Sequence, residues 1–242
     1  MKLLNQLIKL IKLLKNQKTR KGLFNNIAAN IELEDLVKDL KFQTVFDIGS
    51  NKGQFILLVD KLFNSDKDIY SFEPINEILE KQKNFFSNKK NISFFNFALG
   101  KKSSKEILNI AKRRDSSSFL EINTIIKNSD HSVEEKREIE VKSLDELMKN
   151  KNLIKPILAK IDVQGYELEV LKGSRNFLKQ IKYIIIEVSE NEIYAGQPLA
   201  NHIIKYLNDM NFNALNETKI YKLPGTELKQ KDILFVNKFL NE

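Results

Sequence analysis

Val45-Phe46-Asp47-Ile48-Gly49-Ser50-Asn51-Lys52-Gly53, followed downstream by Tyr70-Ser71-Phe72-Glu73-Pro74, is the stretch whose reading decides the fold. It reads as a buried strand, a glycine turn that opens a helix, and a second strand that ends in a carboxylate. Glycine lets a backbone come close to a ligand, and a carboxylate at the next strand end accepts two hydrogen bonds from a ribose diol. The combination marks a site for a nucleoside-containing cofactor.

Two cofactors compete for such a site. A dinucleotide wants Gly-x-Gly-x-x-Gly, with amides at a helix N-terminus holding a pyrophosphate. Here the order is Asp-x-Gly-x-Asn-x-Gly, and Asp47 stands before the first glycine. An anion there repels a pyrophosphate and suits an ammonium or sulfonium group. S-adenosylmethionine carries both cations and no phosphate, so it is favoured over NAD. Asn51 and the amides near Gly49 are then expected to meet its carboxylate.

Outward from that turn, strands and helices alternate. Strands are expected at Thr44–Ile48, Asp68–Phe72, Asn91–Ala98, Ile157–Asp162 and Tyr183–Glu187, with shorter ones at 105–111 and 138–142. Helices are expected at 31–40, Gln54–Phe63, Ile75–Phe86, Ser143–Asn150, Glu167–Leu171 and Pro198–Met210. Ser143 and Glu146 form a capping-box pattern. Phe212–Asn216 and Asp232–Asn237 read as a closing antiparallel pair. The order predicts an α/β domain over 31–242, with a mostly parallel seven-stranded sheet, a C-terminal antiparallel hairpin and helices on both faces. Ligands of such sheets sit at the carboxyl ends of the strands. Asp47, Glu73, Asp162 and Glu187 all fall there.

Among 242 residues, 42% are hydrophobic, enough for one full core. There is no cysteine, which removes disulfides and thiolate metal sites and makes the cytoplasm the expected location. The net charge is +8, but residues 1–31 hold Lys2, Lys9, Lys12, Lys15, Lys18, Arg20 and Lys21 and no acid. That leaves about +1 for residues 32–242. A nucleic-acid-binding body carries a broad basic face, so no nucleic-acid partner is expected.

Residues 1–30 read as a basic amphipathic helical arm. Leu3, Leu4, Leu7, Ile8, Leu10, Ile11 and Leu14 share one face and Lys2, Asn5, Gln6, Lys9 and Lys12 the other. Lysines interrupt it too often for a membrane span. Packing on the domain or on a second subunit is the favoured expectation. The alternative is an interfacial helix in which residues 1–21 hold the protein on anionic lipid at the inner face of the membrane.

Methyl transfer needs an aligned acceptor that loses its proton near the transition state. Asp162, at a strand-to-helix elbow with Gly165, is the candidate base or acceptor-holding group. Asp162 and Glu187 together are a candidate pair for a divalent cation such as Mg²⁺. A cap or a lysine ion pair is an equal reading of Glu187. His131 is read as solvated and His202 as a surface residue. Residues 112–137 and 189–198 are the stretches expected to set acceptor specificity.

The motifs resemble the FkbM family of S-adenosylmethionine-dependent methyltransferases, of the Rossmann-like class I fold. Beside the opening stretch and Phe72-Glu73-Pro74, the matching blocks include Asn96-Phe97-Ala98-Leu99-Gly100, Val141-Lys142-Ser143-Leu144-Asp145 and Lys160-Ile161-Asp162-Val163-Gln164-Gly165-Tyr166-Glu167. Val170-Leu171-Lys172-Gly173, Ile186-Glu187 and Asp232-Ile233-Leu234-Phe235-Val236 complete the set. The resemblance implies O-methylation, often of sugar hydroxyls in bacterial surface glycans, capsule precursors or glycosylated natural products. It implies a carbohydrate or nucleotide-sugar acceptor. By position, Asp47, Gly49, Asn51 and Gly53 resemble the methionine-side contacts. Glu73, with Pro74 beside it, resembles the ribose acceptor, Ala98 the adenine wall, and Asp162 the residue acting on the acceptor. The competing readings are a methyltransferase of RNA, protein or another small molecule, a non-catalytic cofactor-binding subunit at the membrane, and an NAD-linked oxidoreductase.

Overall fold

Thr44–Ile48 (β1) is buried at all five positions, in the middle of the main sheet. Phe46 and Ile48 enter one apolar layer and Val45 the other, as the two-residue period of a strand requires. A strand covered on both faces needs apolar residues throughout. Asp47 is the single charge in β1, and it falls on the Val45 side. The computed structural model describes residues 2–64, 66–123, 131–223 and 226–240.

Along the chain come α1 (Lys2–Lys15), α2 (Gln17–Phe24), α3 (Glu34–Val37), β1, α4 (Gln54–Phe63), β2 (Asp68–Phe72), α5 (Asn76–Phe85) and β3 (Ile92–Phe95). Next are β4 (Ala98–Leu99), β5 (Ser104–Ala111), β6 (Val133–Lys142), α6 (Leu144–Met148), β7 (Ile157–Ile161) and α7 (Glu167–Lys172). The chain closes with β8 (Tyr183–Ser189), α8 (Ala200–Asp209), β9 (Phe212–Glu217), β10 (Tyr221–Lys222) and β11 (Lys229–Asn237).

The main sheet runs β3-β2-β1-β7-β8-β11, with the first five strands parallel and β11 antiparallel to β8. β9 and β10 both pair along the far edge of β11. The seventh strand position is therefore filled by two short strands, and the sheet counts eight. This is the expected class I architecture. Strand order reverses between β1 and β7, which opens a crevice at their carboxyl ends.

Helices cover both faces. Val170, Leu171, Phe177 and Leu207 pack with Phe46 and Ile186 on one side. Ile56, Leu57, Leu36 and Val37 pack with Val45 and Leu158 on the other. An aromatic ladder crosses the first layer, with Phe46 stacked on Tyr70 at 4.8 Å and Phe72 on Phe95 at 4.8 Å.

A second sheet, β4-β6-β5, stands apart from the first. β6 starts at Val133, earlier than the expected 138, because it pairs along the whole of β5. Its apolar side, Leu108, Ile110, Ile139 and Val141, joins Ile75 and Ile78 beside α5. The N-terminal segment is two helices. Asn16 breaks the run, its Oδ1 accepting from the amides of Lys18 at 2.9 Å and Thr19 at 3.3 Å, an N-cap for α2. Leu13, Ile27 and Ala29 belong to the α4-side core, so the segment packs on the domain at these residues.

Candidate functional site

The site is built on the turn between β1 and α4. Gly49 has φ +77°, and a Cβ there would stand 1.9 Å from the backbone oxygen of Asp162. Only glycine lets the ends of β1 and β7 approach this closely. Gly53, φ +83°, opens α4, and a Cβ on it would meet the Phe86 ring at 2.6 Å. Buried Gln82 of α5 fixes the turn from below. Its Nε2 donates to the Asn51 carbonyl at 2.8 Å, and its Oε1 accepts from Ser71 at 2.6 Å.

Beside this turn, Asp47 is fully buried, and neither of its carboxyl oxygens has a hydrogen-bond partner. Asn51 Oδ1 is likewise buried without one. Burial pushes the Asp47 carboxyl up to about 6, with Lys160 opposing the rise and Asp162 adding to it. Unmet buried acceptors cost about 1–3 kcal/mol each, so they mark a place where donors belong. Glu73 differs. Its Oε2 accepts from the Asn51 amide at 2.9 Å and its Oε1 from the Ile75 amide at 2.8 Å. Burial still pushes it up to about 7. Each oxygen retains a lone pair for a further donor.

A cavity of about 980 Å³ lies over the strand ends. Gly49, Asn51, Glu73, Pro74, Ala98, Asp162 and Glu187 all line it. Asp47 and Gly53 are not among its lining residues: Asp47 is sealed in the strand layer, and Gly53 is packed against Phe86. These neighbours fit the methionine end of S-adenosylmethionine, because orphaned acceptors and a close-approach glycine turn adjoin one cavity.

Lys160 was not singled out from the sequence. It is 5% exposed, in register with Asp47, and its Nζ donates to Asp162 Oδ2 at 2.9 Å. The signal was present, since a lysine inside the apolar run Ile157–Ile161 must have a buried partner. Glu167 closes the elbow after β7, its Oε1 accepting from the amides of Val163 and Gly165, each at 3.1 Å. Burial pushes Glu167 up to about 7.

Asp162 and Glu187, the expected metal pair, are bridged by an amide side chain. Gln164 Nε2 donates to Asp162 Oδ1 at 2.8 Å and reaches Glu187 Oε2 at 3.4 Å, so an amide lies between the carboxyls. Glu187 also accepts from Gln230 Nε2 at 2.8 Å and from the Tyr221 hydroxyl. Burial first, then the neighbouring Asp162, pushes Glu187 well above the usual carboxylate range. Among the described residues, no group of three or more His, Cys, Asp or Glu is placed to hold a metal ion.

The expected acceptor stretches do reach the cavity. Arg113–Ser117 and Ile193–Tyr194 line it, and residues 124–130 lie outside the described residues. Tyr194 donates to Gln164 Oε1 at 2.7 Å, tying the 189–198 segment to the elbow. His131, expected in solvent, is half-buried against the cavity with Nδ1 3.0 Å from Ser116 Oγ. His202 is exposed, and its Nδ1 accepts from the Leu199 amide at 3.3 Å at the start of α8.

Comparison with known proteins gives this geometry a family. The chain is 37% identical over 71 residues to the hexuronic acid methyltransferase AglP of Haloferax volcanii, covering 28% of this chain and 30% of that one. The crystal structure of methyltransferase FkbM from Methylobacillus flagellatus KT superposes with TM-score 0.51 at 12% identity, over 83% of this chain and 45% of the other. TehB from Haemophilus influenzae gives TM-score 0.53 at 13% identity, over 89% and 64%. The chain thus spans under half of the first two relatives, and the structural likenesses are of fold. The sequence profile of the methyltransferase FkbM domain matches residues 47–214, from the buried aspartate into β9, and the chain therefore belongs to the FkbM methyltransferase family.

Proposed function

We propose that the protein is an S-adenosylmethionine-dependent O-methyltransferase whose acceptor is a sugar hydroxyl, on a nucleotide sugar or on a precursor of a surface glycan or capsule. The observation that carries the reading is Asp47, a sealed carboxyl with two unmet oxygens beside the Gly49 turn. A pyrophosphate gains nothing from it; a cationic amino acid group does. When bound, S-adenosylmethionine supplies an electrophilic methyl group on a sulfonium.

The chain's own residues divide the remaining work. Asp47, beneath the turn, attracts an ammonium group through its field, Asn51 on the cavity wall offers an acceptor, and the turn amides offer donors to a carboxylate. Glu73 has lone pairs left for a ribose diol, and Ala98 offers an apolar wall. Asp162 lines the cavity with a side chain 27% exposed, held from both sides by Lys160 and Gln164. In this reading it accepts the proton of an acceptor hydroxyl. The sugar assignment rests on the partial likeness to a hexuronic acid methyltransferase.

Incubation with methyl-labelled donor and a panel of nucleotide sugars and hexuronic-acid saccharides tests this. Label is expected in a carbohydrate product. Transfer to none of them, with donor binding intact, overturns the sugar acceptor. Displacement of the donor by NAD in a calorimetric titration overturns the cofactor.

A further inference from the structure

We propose that α1 docks the protein on an anionic lipid surface. Its packing is the reverse of what a core-covering helix does. Leu13 is the residue buried against the body, at 3% exposure, whereas Leu7, Leu10, Ile11 and Leu14 stand 42–52% exposed. At 3.6 residues per turn those four share one stripe, and Leu13 points about 110° away from it. Among the described side chains of α1, Leu13 is the apolar one that packs on the domain, while Leu7, Leu10, Ile11 and Leu14 turn outward.

Charge decides what covers that stripe. The first acid in the chain is Glu32, after seven lysines and arginines, and it is already paired with Lys9 at 2.7 Å. A second copy of the chain would set the same cations against themselves, since a two-fold contact repeats one surface on both sides. An anionic bilayer suits both features, taking the stripe at the acyl boundary and exposed cations such as Lys15 among its headgroups. Among the described residues, no helix is long and apolar enough to cross a membrane, so α1 lies along the interface. Ile8, Lys9 and Lys12 of the same helix line the cavity. The proposal stands whether or not the acceptor is a sugar.

Co-sedimentation of the full chain with vesicles of phosphatidylglycerol and phosphatidylcholine, against phosphatidylcholine alone, tests it. Binding is expected to the anionic vesicles and to fall steeply with salt. The triple variant Leu7→Gln, Ile11→Gln, Leu14→Gln should lose at least about tenfold in partitioning. Lys15→Gln should lose about fivefold on anionic vesicles only. All these positions are exposed, so thermal unfolding and donor affinity should match the parent. No binding by the folded parent, equal binding to neutral vesicles, or equal binding by the triple variant overturns the proposal. So does a dimer in light scattering that the triple variant dissociates, which would make a second copy the occupant.

Discussion

Lys160 stands across from Asp47 on the adjacent strand and donates to Asp162 at 2.9 Å. One buried ammonium thus acts on two carboxyls of different duty. It bonds Asp162, at the cavity, and influences Asp47 through its field while leaving both Asp47 oxygens unmet. That division leaves Asp47 without a protein donor beneath the Gly49 turn and holds Asp162 by two hydrogen bonds.

Donor affinity should therefore depend on the protonation of Asp47. Its carboxyl titrates at about 6 in the folded chain, and a protonated acid gives up its attraction for an ammonium group. Affinity should fall about tenfold per pH unit below that value. Lys160→Met removes an opposing cation, so the acid limb should move upward by about one unit or more. Calorimetric titration across the range checks it. An unmoved limb would show that Asp47 is not the group being read.

Stability should rise on mild acidification. Glu73 and Glu167 are pushed up to about 7 and Asp47 to about 6, whereas unfolded carboxyls titrate near about 4. Between those values the native state holds more protons than the unfolded chain. Stability is then gained as pH falls through the folded values, and lost above them, by up to about 1.4 kcal/mol per unit for each group. Urea midpoints at neutral and at mildly acidic pH should show the acidic one higher. A lower midpoint there would mean these carboxyls are charged in the native state.

Gly49→Ala should be among the most damaging single changes. The added methyl would need the space of the Asp162 carbonyl, 1.9 Å away, at φ +77°. Relieving that contact means separating the ends of β1 and β7, at a cost of about 3 kcal/mol or more. Chemical denaturation measures the loss, and donor binding should vanish with it.

What the sequence disclosed and what it withheld have physical reasons. The β1 turn and the alternating elements were legible because strand and helix periods are local and strong. Ser143 does cap α6, accepting from the Glu146 amide at 3.4 Å, but the Glu146 carboxylate bonds Ser103 instead of closing the box. Asp162 and Glu187 fall at adjacent strand ends, as their places in the sequence imply. Both line one cavity, yet the side chain between them, Gln164, is two residues from Asp162 and its direction is set by the elbow. The amphipathic pattern of α1 was plain, but periodicity does not say which face turns inward. Leu13 decides that through tertiary contact alone.

Asp162→Asn separates chemistry from binding. The carboxylate accepts from Lys160 on one oxygen and from Gln164 on the other. Asparagine keeps the shape but presents a donor toward one of those donors and has no basic oxygen for an acceptor proton. Turnover should fall by about 10²–10⁴-fold, with donor affinity near neutral pH retained. Asp162 also raises Asp47, so its neutralisation should shift the acid limb of donor binding downward, opposite to Lys160→Met. The two variants therefore form a signed pair on one observable. Unchanged turnover would remove Asp162 from the chemistry, and limbs moving in the same direction would mean that field effects on Asp47 do not govern donor binding.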